Sequence, residues 1–81
     1  MRRVLLMKHE DINPRTARIL LRVFLDADLH YHLNGTPHHV YLAQQAKKHL
    51  GQARRLITQV ANLGPDAKKW MAVFIGSMNE E

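Results

Sequence analysis

Residues 37–62 read PHHVYLAQQAKKHLGQARRLITQVAN, and the spacing of apolar residues in this stretch decides the fold. Ala46, Leu50, Ala53, Ile57 and Val60 step by four, three, four and three, which is the a/d spacing of a helix seam. Leu42, Ala43, Leu56 and Ala61 widen it. Small alanines alternate with larger side chains, so a second helix can approach closely. The stretch predicts one helix over about 37–62, with its partner supplied by the same chain or by a second copy. Gly51 falls inside it, at a cost of about 1 kcal/mol relative to alanine. It reads either as a bend or as a tolerated exposed glycine.

Working outward, both ends of this stretch carry turn signals. Asn34-Gly35-Thr36-Pro37 precedes it and Asn62-Leu63-Gly64-Pro65-Asp66 follows it. Glycine just past one helix and proline at the start of the next is the usual asymmetry of helix caps. Asn13-Pro14 is a third start signal, with Asn as the cap and Pro as the first helical residue. Ile12 stands where a hydrophobic staple onto Ala17 is expected. These marks predict two further helices, over about 14–33 and about 65–78.

Each flanking helix has an apolar side. At 100° per residue, Ala17, Leu20, Leu21, Val23, Phe24, Ala27 and Tyr31 share one face of the first. Arg15, Arg18 and Arg22 stand opposite, and Leu29 and Leu33 fall on that arginine side. The last helix carries Trp70, Met71, Val73, Phe74, Ile75 and Met78, with Lys68 and Lys69 on the remainder. The expected fold is all-α: a small three-helix bundle with antiparallel neighbours, residues 13–81, preceded by a short extension of undefined structure, residues 1–12. A two-fold homodimer is expected too. Its seam would use Ala46, Leu50, Ala53, Ile57 and Val60, or the Trp70/Phe74 face, because three helices this apolar leave large side chains uncovered.

Composition sets the outer bounds. The chain has 81 residues, 46% apolar and 23% charged. This suits one small domain and not a disordered tail. No cysteine is present, which excludes disulfides, a thiolate nucleophile and sulfur-ligated zinc. The start, Met1-Arg2-Arg3-Val4-Leu5-Leu6-Met7-Lys8, opens like a signal peptide. Its apolar stretch is far shorter than the roughly 7–15 residues of an h-region. No apolar run approaches the roughly 20 residues of a membrane span. Neither export nor membrane insertion is expected, and a cytoplasmic location is.

The chemistry-bearing residues do not assemble into a catalytic pattern. His30, His32, His38 and His39 cluster around the first turn. Their spacings lack the i, i+4 pairing that a helical metal site uses. Neither a metal nor any other cofactor is expected. Asp26 and His30 form an i, i+4 pair without an obvious nucleophile, and Ser77 is the only serine. No phosphate-binding glycine loop or nucleophile elbow occurs. An enzyme is not expected.

Charge is the informative feature. Twelve Lys and Arg against seven Asp and Glu leave +5, and no acid occurs between Asp28 and Asp66. On a continuous helix Tyr41, Lys48 and Arg55 form one row at seven-residue spacing, with Lys47 and Arg54 beside the seam. These residues, together with Arg15, Arg18 and Arg22, are the expected partner-binding face. A positive rod of this kind suits an acidic protein surface, where Tyr and Arg are favoured anchors. It also suits a nucleic-acid backbone. In size, helicity and lack of catalytic groups the chain resembles in type the small inhibitors and regulators carried by phages and mobile elements, which cover a surface on a larger protein. No motif is shared. The expected function is a small non-enzymatic regulator of inhibitor or antiactivator type, with a DNA- or RNA-binding regulator as the alternative.

Overall fold

Asn13 opens the first helix: its side-chain oxygen accepts a 2.8 Å hydrogen bond from the Arg15 backbone N–H. Pro14 occupies the first helical position, where its missing N–H is no loss. Ile12, just outside the cap, is buried in the same cluster as Ala17. The resulting helix, α1, runs Pro14–Asn34. It stops at Gly35, whose φ of +76° sends the chain left-handed while its N–H bonds back to the Tyr31 carbonyl at 2.8 Å. The computed structural model describes residues 12–79, apart from the side chain of Asn79. The expected N-terminal extension lies almost wholly outside the described residues.

The stretch read as one helix over 37–62 is two. Helix α2 runs His38–Ala46 and α3 runs Gly51–Ala61. The break follows from local geometry. Lys48 and His49 donate to the Gln45 and Ala46 carbonyls, tightening the end of α2 into a three-residue turn. Leu50 is then extended, and Gly51 takes φ +59°, a conformation that L side chains rarely adopt. The reversal lets α3 fold back onto α2, the most closely packed pair of helices in the molecule. Ala46, Ala53, Ile57 and Val60 stay buried. Leu50 does not: it is 82% exposed in the turn. Its place in the expected seam is corrected for a physical reason. The chain reverses at this point, so Leu50 faces solvent between the two helices, forfeiting roughly 1.5–3 kcal/mol, while Leu42, Leu56, Ile57 and Val60 join the core cluster with the apolar side of α1.

A 3-10 turn, Gly64–Asp66, leads into α4, Ala67–Asn79. Helices α1 and α4 are joined by aromatic rings. Phe24 meets Trp70 and Phe74 edge-to-face at 5.9 and 5.4 Å between centroids, and Trp70 stacks on Phe74 at 5.5 Å. Each such pair adds about 0.5–1.5 kcal/mol beyond area burial. Phe74 is therefore core and Trp70 is packed against the core, so the side chains expected at a dimer seam on this helix turn inward. The architecture is an all-α small bundle of four helices, with no strand among the described residues.

Candidate binding face

Helix α1 packs inward through Ala17, Leu20, Val23, Phe24 and Ala27, which forces Arg15, Arg18 and Arg22 outward. All three arginines line one open groove of about 440 Å³. Its opposite wall is Gln45 near the end of α2 and His49 in the turn that follows. Asp26 closes one end, with its carboxylate 3.9 Å from Arg22. Both partners are well exposed, so the pair adds little stability and leaves Arg22 able to exchange partners. Lys47 and Lys48 are exposed at the start of the turn that carries His49.

The outward strip of α1 continues past the arginines. Leu25, Leu29 and Leu33 lie within roughly 80° of arc of Arg15, Arg18 and Arg22 at 100° per residue. They are 50%, 52% and 71% exposed. One helix face therefore has a cationic half and a leucine half.

The second expected row is dispersed. Tyr41 is buried, stacked on His30 at 4.5 Å, and not available to a partner. Burial, with the nearby Asp26 charge second, raises its phenol pKa above the ordinary value. Lys47 and Lys48 sit in the turn, while Arg54 and Arg55 are exposed on the first turns of α3 beyond the Gly51 reversal. Lys48 and Arg55 thus belong to different elements and do not form one row with Tyr41.

The first-turn histidines divide between two settings. His30 lies with Tyr41 and Asn34, and its Nδ1 is 3.4 Å from the Asn34 amide nitrogen. Buried His38 places Nε2 3.0 Å from Asp28 Oδ1 and stacks on Tyr31 at 4.8 Å. His32 Nε2 stands 3.6 Å from the other Asp28 oxygen. The His38 hydrogen bond holds the Asp28 pKa below its usual value. The charges of His32, His38 and Lys68 act in the same direction, while burial opposes them. The cluster ties the end of α1 to the start of α2, which has no side-chain cap of its own. Among the described residues no three His, Cys, Asp or Glu side chains gather as a metal site. Sequence reading missed the Asp28–His38 bond because ten residues and a turn separate the partners.

The fold class is all-α, a small helical bundle. No protein-family model matches the chain, and no curated protein or solved structure is significantly similar to it. Among the described residues no helix is long and apolar enough to cross a membrane.

Proposed function

We propose that this chain is a small non-enzymatic regulator, of inhibitor or antiactivator type, that acts by covering an acidic surface of a larger cytoplasmic protein. The observation that carries the reading is the two-part strip on α1: Arg15, Arg18 and Arg22 in line with exposed Leu25, Leu29 and Leu33. A protein surface that pairs acids with an apolar ridge uses both halves at once. Burying a leucine returns roughly 1.5–3 kcal/mol, and a desolvated arginine anchor is worth about 2 kcal/mol or more. A phosphate backbone takes up the arginines and leaves the leucines wet.

Direct DNA or RNA binding is the second reading, favoured by the absence of any acid between Asp28 and Asp66. It would add Lys47, Lys48, Arg54 and Arg55 to the α1 arginines. Such binding would be led by phosphate contacts, with an affinity that falls by a log–log slope of about −0.9 per phosphate engaged as salt rises.

Affinity capture from nuclease-treated host extract tests the two together. A protein partner held by the native chain should be lost with Arg15→Glu/Arg18→Glu/Arg22→Glu and also with Leu25→Ser/Leu29→Ser. Gel shifts with mixed-sequence DNA and RNA supply the opposing outcome. A salt-sensitive shift that is indifferent to the leucine substitutions would replace the protein reading with the nucleic-acid one.

A further inference from the structure

We infer, resting on the regulator function proposed above, that the element received by the outer strip of α1 is an amphipathic helix of another protein, acidic along about two turns and apolar beyond them.

Spacing points to a helix. Arg15, Arg18, Arg22, Leu25, Leu29 and Leu33 step by three, four, three, four and four. All six are exposed, and they form one row about 27 Å long at 1.5 Å per residue. The row lies opposite Leu20, Phe24 and Ala27, which are buried in the core. A helix repeats its side chains every 5.4 Å or so along its axis, as the row does, so a second helix laid nearly along α1 meets it at every turn. A strand sets same-face side chains roughly 6.6–6.8 Å apart and is half a repeat out of step after about two turns.

Charge fixes the order along that helix. No acid occurs between Ile12 and Leu25, so the arginine half is purely cationic. The groove beside it has Ile19 and Val23 in its lining and Gln45 and His49 as its far wall. Carboxylates on a docked helix find the guanidinium groups on one side and the His49 ring on the other. At 100° per residue Asp26 and Asp28 then flank the row, one on each side, where arginine gives way to leucine. Their carboxylates oppose any further acid, so the acidic stretch of the partner ends where the leucines begin. A uniformly acidic helix and a phosphate backbone laid along the whole row both meet that opposition.

A second copy of α1 does not supply this order. A parallel pair sets the two arginine triplets side by side. An antiparallel pair brings Arg22 near the Asp26 of the other copy but leaves Arg15 and Arg18 against leucines.

The contact is one helix face and belongs among interfaces below about 1,200 Å², where association is weak. A capped synthetic helix of about 21 residues covers the row. Three glutamates and then three leucines occupy its 3-4 spaced seam, with alanine and glutamine elsewhere; a second peptide has the order reversed. Fluorescence anisotropy with the full chain should show saturable, micromolar binding of one of the two. Interleaving the same glutamates and leucines along the seam should weaken it at least tenfold. Arg15→Glu/Arg18→Glu/Arg22→Glu and Leu29→Ser/Leu33→Ser should each do the same, with circular dichroism unchanged because these side chains are exposed. Lysine in place of the peptide glutamates should restore binding to the arginine-reversed chain. No binding of either peptide at about 1 mM, equal binding of the interleaved peptide, or no rescue by lysine overturns the inference. So does a native chain that sediments as a dimer and becomes monomeric with Leu29→Ser/Leu33→Ser. Affinity capture separates the two proposals. A strip-dependent acidic protein captured by a chain that ignores both peptides removes the helix and keeps the regulator. Peptide binding without any captured protein supports the helix site and counts against the regulator.

Discussion

At the scale of single residues, Gly51 shows how one backbone position redirects an element. Its φ of +59° is the point at which the chain turns from α2 into α3. A Cβ there meets no atom within 4 Å, so the penalty of substitution is purely conformational. Gly51→Ala is expected to lower stability by roughly 1–2 kcal/mol, the usual cost of a left-handed non-glycine residue, as read by urea denaturation. A neutral result would mean that the chain turns without the left-handed residue. Asp28 supplies a second residue-scale expectation. Its pKa is depressed in the folded chain, chiefly by the His38 hydrogen bond. A depressed carboxyl stabilises the fold above its unfolded pKa of about 3.9, and that contribution is lost as pH falls through the lower folded value. Thermal melts of the native chain should therefore fall more steeply below about pH 4 than those of Asp28→Asn, which should already be less stable at neutral pH. Parallel curves would show that the bond carries no net stability.

At the scale of elements, the heptad steps of residues 46–60 were legible and their meaning was not. Ala46, Ala53, Ile57 and Val60 are buried as the spacing requires, but they pack across a folded-back pair. Periodicity reports which side of a helix is apolar. It does not report whether the chain reverses partway along, because a reversal at Gly51 and a straight helix bury nearly the same residues. Leu50 is where the two differ. Leu50→Ser should change stability by no more than about 0.5 kcal/mol, as exposed positions do. Ile57→Ala should cost about 2–5 kcal/mol. Equal losses in a denaturation series would restore the continuous helix. Helix α1 was the reverse case. Its Asn13-Pro14 start and Gly35 stop are local chemistry, and both stand where the sequence places them.

At the scale of the whole molecule, the candidate face is assembled from elements remote in sequence. Arg15, Arg18 and Arg22 were recognisable as a stripe because about two turns of one helix hold them together. Their opposite wall, Gln45 and His49, depends on how the end of α2 docks. Lys48 and Arg55, which looked like one row on a straight helix, are separated by the reversal. Charge reversal at Arg18 and Arg22 should therefore weaken partner binding by tenfold or more. Lys48→Glu/Arg55→Glu should have the smaller effect, in titrations at fixed salt with far-ultraviolet dichroism as the control for folding. The opposite ranking would move the binding face to the α2–α3 side.

What this sequence determined by itself is local: helix propensity, the caps at Asn13 and Gly35, the side of each helix that turns apolar, and the absence of cysteine and of catalytic motifs. Those depend on neighbours within about one turn of chain, and a linear reading samples such neighbours fully. Only the tertiary structure decided that residues 37–62 form two helices, that Tyr41 is buried while Leu50 is exposed, and that His38 bonds Asp28. It likewise decided that Leu25, Leu29 and Leu33 stay in solvent beside the arginines. Each of these is settled by competition among distant groups for a limited buried volume. Four helices on one small core cannot cover every apolar face, and which faces lose depends on how all of them pack at once.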